Sequence, residues 1–280
     1  MPRPLLFLLL LSLTGCTDFF ERDITPTDQA FDPQLVLFAL FDPQDSVQVV
    51  DLRRTVAAYG GGGGAPNDYR PRRVLAGADV RLLDAGRATP FSYAGLSSLR
   101  EGYYAATAGL GLLPGGAYTL VATDGELSAG ADLEMIADTI PRAEIELGVD
   151  AVREDGFTEY LIEATVPNAP GAGDAYLLIH ERIDPDGRRA SRELFDLLEG
   201  RPALGPRLTF RPIRLPGGGR HRLRLCRTTV ATYDYLNARE TALGNAENPF
   251  AEPTQLPDNV TGQGIGHVGS MNCQVYGFAL

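Results

Sequence analysis

The sequence predicts an all-β protein of two β-sandwich-like domains in tandem, the first of immunoglobulin or prealbumin type, with one short helix near the C-terminus. Three observations lead there. Apolar and polar residues alternate with a period of two in a series of short stretches. Turn-forming pairs such as Asp-Pro and Asp-Gly separate these stretches at the spacing of sandwich strands. A helical period stands out in one segment, residues 233–243. Hydrophobic residues make up 44% of the 280-residue chain against 22% charged, the balance of a globular protein.

The chain opens with Arg3 and an apolar run over residues 5–11. A helix crossing a ~30 Å hydrocarbon layer needs ~20 residues, so this run reads as a secretory signal over residues 1–15 and not as a membrane span. It ends in Leu13-Thr14-Gly15-Cys16, which resembles the lipobox of bacterial lipoproteins. That resemblance implies cleavage before Cys16, a diacylglycerol on its sulfur and a fatty acyl group such as palmitate on the new amine. Each buried CH₂ contributes about 0.8 kcal/mol, so two or three chains together anchor a protein durably. Residues 16–32 then form a tether with no periodic apolar pattern. Asp18, Glu21 and Asp23 within it are similar to the acidic export signals of some outer-membrane lipoproteins, although a solvated acidic linker accounts for the same residues.

The first domain is expected over residues 33–142. Leu35-Val36-Leu37-Phe38-Ala39-Leu40-Phe41 is apolar on both faces, and Asp42-Pro43-Gln44-Asp45 turns it into Val47-Gln48-Val49-Val50. The run of glycines over residues 60–64 has no side chains to pack and reads as an exposed loop. Val80 and Leu82 oppose Asp79 and Arg81, and Asp84-Ala85-Gly86 ends that strand. Gly102-Tyr103-Tyr104 follows, and Tyr118-Thr119-Leu120-Val121-Ala122 returns through Asp124-Gly125, a pair suited to a tight turn with positive φ.

The second domain is expected over residues 143–280. Tyr160, Ile162, Ala164 and Val166 share one face of a strand, and residues 176–183 form another that ends in Asp184-Pro185-Asp186-Gly187. In residues 221–229 Leu223 and Leu225 are expected inward, Arg222 and Arg224 outward. The helix at 233–243 places Tyr233, Leu236, Glu240 and Leu243 on one side, with Thr232 as its cap and Gly244 as its end. Beyond it an irregular tail is expected.

Several chemistries are excluded or unsupported. The net charge of −11 and pI near 4.8 disfavour nucleic acid, which rewards a basic patch. All 25 basic residues are Arg, so neither a phosphate-loop Lys nor a Schiff-base Lys is present. There is no Gly-x-Ser-x-Gly elbow for a nucleophilic serine. His180-Glu181 lacks the second His of a zinc-protease helix, and His180, His221 and His267 lie far apart in sequence, as strand or surface residues do. Asp184 and Asp186 lack the glutamate of a calcium loop. No catalytic residue, metal or cofactor is therefore assigned. Apart from Cys16 the cysteines are Cys226 and Cys273. In an exported protein such a pair reads either as a disulfide or as two buried thiols, and the sequence leaves both open.

Taken in order, Leu13-Thr14-Gly15-Cys16, Leu35-Val36-Leu37, Gly102-Tyr103-Tyr104, Gly115-Gly116-Ala117-Tyr118-Thr119-Leu120, Tyr233-Asp234-Tyr235-Leu236, Asn248-Pro249-Phe250-Ala251-Glu252-Pro253 and the Gly-x-Gly-Ile-Gly close at Gly262, Gly264, Ile265 and Gly266 resemble the lipoprotein family called domain of unknown function 4249. The chain departs from that pattern in the Cys226/Cys273 pair and after Gly266. The resemblance implies an envelope lipoprotein, often encoded beside TonB-dependent outer-membrane transporters, and no established activity. The expectation is thus a lipid-anchored outer-membrane protein, a non-enzymatic binding or accessory module working with such a transporter in nutrient uptake. A structural or adhesive envelope role and a hydrolase with a loop-built site are the alternatives. Asn248, Pro249, Phe250, Glu252 and Pro253 form the candidate partner-facing segment, because an aromatic ring between prolines is a preordered anchor; Phe250 covering the second core is the other reading.

Overall fold

A computed structural model describes residues 32–55, 73–94, 103–106, 110–154, 157–168, 174–187, 189–201, 204–245 and 254–280. The signal, Cys16, Asp18, Glu21, Asp23, the glycine run and the segment from Asn248 to Pro253 lie outside them. Among these residues the protein is all-β apart from one α-helix and short 3-10 structure, at Arg142–Glu144 and at Leu204.

Alternation builds the first half as expected. Strands β1 (Leu35–Phe41), β2 (Gln48–Arg54), β3 (Arg73–Val74), β4 (Asp79–Asp84), β5 (Arg87–Tyr93), β6 (Tyr104–Ala106), β7 (Ala117–Asp124) and β8 (Leu127–Glu134) pair antiparallel with one another. Their inward side chains, among them Leu37, Phe41, Leu52, Leu82, Tyr118 and Leu120, make one buried core. The β7–β8 turn puts Gly125 at φ 62, and the β4–β5 turn puts Ala85 and Gly86 at φ 35 and 97, the left-handed geometry that matches the twist of two-residue hairpins.

The second half contains β9 (Glu146–Glu154), β10 (Phe157–Pro167), β11 (Asp174–Ile183), β12 (Arg189–Glu199), β13 (Arg207–Thr209), β14 (Ile213–Pro216), β15 (Arg220–Thr229), helix α1 (Val230–Asn245), β16 (Thr261–Gly262) and β17 (Gly264–Ala279). A small sheet of β9, β10, β13 and β14 packs Ile162, Ala164, Val166 and Ile213 against Tyr176 and Leu178 of β11 and Leu223 and Leu225 of β15. This is the second sandwich. The larger sheet runs β12-β11-β15-β17-β1-β2-β6-β5-β4-β7-β8-β16.

Beyond the helix the expectation of an irregular tail is corrected. Residues Gly264–Ala279 form a strand of 16 residues. Its first part pairs in parallel with β1, from Leu35↔Gly264 to Phe41↔Ser270, and its remainder pairs antiparallel with β15. The two sandwiches therefore share a strand, and hydrogen bonding is continuous through β15, β17 and β1. Glycine content suggested irregularity, yet here glycine makes room for a neighbouring backbone at one position and for neighbouring side chains at another. A Cβ on Gly266, at φ 131, would stand 2.1 Å from the Leu37 carbonyl oxygen, and one on Gly269 2.5 Å from Thr232 Oγ1.

The helix also differs in detail. It begins at Val230, and Thr229, not Thr232, caps it, its Oγ1 accepting the Thr232 backbone N–H at 3.2 Å. Thr232, Tyr235 and Leu236 form the buried face, while Leu243 is 55% exposed.

Candidate ligand-binding cleft

Each strand of the larger sheet has a face turned away from the sandwich cores, and between β12 and β2 that second face is covered as well. Leu177 and Ile179 of β11, Cys226 of β15 and Met271 and Cys273 of β17 pack under Tyr235 and Leu236 of α1, with Phe38 and Leu40 of β1 alongside. Cys226 and Cys273 sit opposite each other in the β15–β17 ladder and are joined by a disulfide, Cα–Cα 3.9 Å, fully buried beneath the helix. The Phe38 and Tyr235 rings stack at 5.6 Å, and Tyr235 stacks on His267 at 4.8 Å. His267 Nε2 lies 3.1 Å from Thr232 Oγ1. Burial holds the His267 pKa down at about 4, so the ring is neutral at pH 7.

Beside this packed region the same face opens into a cavity of about 450 Å³. Phe38, Leu40, Val49, Ile179, Leu194 and Leu236 supply its apolar lining, and its charged lining is Asp45, Asp51, Arg53, Arg189, Arg192 and Arg239. The residues come from β1, the β1–β2 turn, β2, β11, β12 and α1, which explains why no single stretch of sequence announces the site.

A buried ionic network holds one wall. In the β1–β2 turn the Asp45 N–H donates to the Asp42 carbonyl at 3.0 Å, and Asp42 Oδ1 accepts the Gln44 N–H at 2.9 Å. Gln48 Nε2 donates to the Asp45 carbonyl at 2.9 Å, closing the turn from the strand. Both carboxylates face Arg224: its Nη2 donates to Asp42 and its Nη1 to Asp45. Arg192 Nη1 reaches the other oxygen of Asp45 at 3.0 Å. Glu181, fully buried on β11, accepts Arg189 Nη1 at 3.1 Å and Arg222 Nη1 at 3.4 Å, and stands 3.7 Å from both Arg192 and Arg224.

This corrects the outward placement of Arg224, which is 3% exposed. Alternation along β15 shows that Arg222 and Arg224 share a face; it does not show that the turn at Asp42 and Asp45 folds over that face. The electrostatics follow from the geometry. Burial raises the Asp42 pKa above the ordinary carboxylate value although Arg224 opposes it. For Asp45 burial also pushes upward, but Arg224 and Arg192 together bring it below the ordinary value. Burial, and then the neighbouring Arg224 cation, lower the Arg192 pKa.

The three histidines do not gather in the cleft. His180 and His221, distant in sequence, meet on β11 and β15 at the far end of the second sandwich, Nε2 to Nδ1 3.0 Å, and burial lowers both pKa values. Asp184 and Gly187 close a plain turn, with the Gly187 N–H on the Asp184 carbonyl at 2.9 Å. Among the described residues no group of three or more His, Cys, Asp or Glu side chains is placed to hold a metal ion, and no helix is long and apolar enough to cross a membrane.

The turn at Asp42-Pro43-Gln44-Asp45 and the strand arginines are each legible in the sequence; that they meet is not. The available signal was a turn carrying two carboxylates together with strands whose polar face is arginine. No curated protein matches the chain. The family model described as a domain of unknown function (DUF4249) matches residues 20–275, and by that match the chain belongs to the DUF4249 family.

Proposed function

We propose that the protein is a lipid-anchored module of the outer membrane that binds a small ligand without transforming it, and that it works beside a TonB-dependent transporter in nutrient uptake. The cleft carries this reading. It is a concave cavity of about 450 Å³ lined by apolar side chains on one part and charged ones on another, and small-molecule sites fall in the range ~300 to 1,000 Å³. Its neighbouring carboxylates support binding over catalysis, because Asp42, Asp45 and Glu181 are occupied by guanidinium groups. Residues Leu13-Thr14-Gly15-Cys16 support the anchor.

The test is a pull-down from detergent-solubilised outer membrane with the full chain as bait, together with mass spectrometry of the mature N-terminus. Acylated Cys16 and a co-purifying transporter are the expected results. An unmodified Cys16 in a freely diffusing protein overturns the anchor, and recovery of surface-assembly proteins without any transporter favours the structural role.

A further inference from the structure

The cleft's own chemistry specifies more than a cavity. Four of its six charged lining residues are arginines and two are aspartates, so a positive site sits in a chain of net charge −11. Asp51 is taken up by Arg53, with Oδ1 2.8 Å from Nε and Oδ2 3.0 Å from Nη2. Asp45 is shared by Arg192 and Arg224. Behind the wall, Asp42, Asp45 and Glu181 face Arg189, Arg192, Arg222 and Arg224, three carboxylates against four guanidinium groups. Arg192 and Arg224 are largely buried, whereas Arg189 and Arg222 keep 30% and 41% exposure, so the guanidinium excess stays within reach of solvent, where an anion can join it. The lowered pKa of Arg192 agrees, since its cation is desolvated next to another cation.

Guanidinium groups hold carboxylates and phosphates through paired N–H donors. A bare inorganic anion would satisfy them and leave the apolar lining of Phe38, Leu40, Val49, Ile179 and Leu194 exposed to water. We infer that the cleft takes a small organic anion, its acidic group held by Arg189, Arg192 and Arg239 and its apolar body lying on β1, β2, β11 and β12. The inference rests on the binding reading above and supplies its ligand class. The acid is a carboxylate or a phosphate ester, which the guanidinium groups accept alike.

The chain contains no tryptophan, so Tyr103→Trp, in the cleft lining, makes a single fluorescent reporter. Octanoate, octyl phosphate, octanamide, octylammonium and inorganic phosphate are titrated into the full mature protein carrying this substitution, and into the unsubstituted protein by calorimetry. Saturable binding of octanoate or octyl phosphate is expected, at least tenfold tighter than octanamide or inorganic phosphate, with octylammonium silent. Whichever of the two acids binds more tightly identifies the acidic group. Arg239→Gln, on the exposed side of α1, weakens binding of the acid tenfold or more, and Val49→Trp, which fills the cavity, abolishes it at unchanged melting temperature. Equal binding of octanamide, octylammonium and octanoate overturns the anion requirement, and inorganic phosphate matching octyl phosphate overturns the apolar body. Absence of binding by every probe overturns the ligand class while leaving the pull-down result standing. Octanoate binding without a co-purifying transporter overturns the partner reading alone.

Discussion

Arg224 hydrogen-bonds Asp42 across 182 positions of sequence, both side chains being almost wholly removed from solvent. The contact ties β15 to the turn between β1 and β2, so the placement of that turn against the sheet depends on one guanidinium group.

Replacing that group exposes the dependence. Arg224→Met leaves Asp45 with Arg192 and strips the Arg224 guanidinium from the fully buried Asp42, and loss of one partner of a buried ion pair costs about 3 to 5 kcal/mol. Urea denaturation of the variant is expected to show that loss. Adding Asp42→Asn and Asp45→Asn to Arg224→Met recovers much of it, because no uncompensated carboxylate then remains. A triple variant no more stable than Arg224→Met contradicts the account.

His267 makes stability pH-dependent. Its folded pKa of about 4 lies below the ordinary 6.5, so between these values the unfolded chain binds the extra proton. Stability is therefore complete above pH 6.5 and falls as the pH drops toward 4, by about 3 kcal/mol from this residue. His180 and His221, also lowered by burial, act in the same direction. Asp42, raised by burial, acts in the opposite one. Denaturation at pH 7 and pH 4.5 is expected to show the decline, and His267→Gln to remove much of it; an unchanged slope in that variant counts against the assignment.

The disulfide between Cys226 and Cys273 closes a chain segment of 47 residues that includes α1. Cross-links of this span stabilise by about 2 to 4 kcal/mol. Melting of the Cys226→Ser, Cys273→Ser double variant is expected at lower temperature and without response to dithiothreitol, whereas the unsubstituted protein falls toward it when reduced.

At Gly266 the Leu37 backbone, and at Gly269 the Thr232 and His267 side chains, leave no room for a Cβ. Gly266→Ala combines a positive φ with a clash against Leu37, a carbonyl in the centre of the parallel β1–β17 pairing. Strain at such a position costs about 1 to 3 kcal/mol before the clash is added. Hydrogen exchange is expected to quicken at the amides of β1 and β17 while the β7–β8 hairpin keeps its protection. Uniform protection in the variant contradicts the placement of β17.

The elements that sequence reasoning placed well are those whose information is local. The β1 strand and its Asp-Pro turn, the β7–β8 hairpin at Gly125 and the single helix near the C-terminus follow from alternation, turn chemistry and one helical period. Alternation in β10 and β15 likewise identified the faces that meet in the second core.

The β character of the chain, where it turns, and which residues of a strand share a face are therefore legible in its residues. Tertiary structure alone decided what covers each face: that Arg224 is buried by a turn far away in the chain, that Cys226 lies opposite Cys273, and that a glycine-rich tail joins both sandwiches. The reason is physical. Period-two patterning records that a strand has two environments, but strand pairing is set by backbone hydrogen bonds that every residue except proline can both donate and accept, so the partner of β17 leaves almost no mark on its side chains.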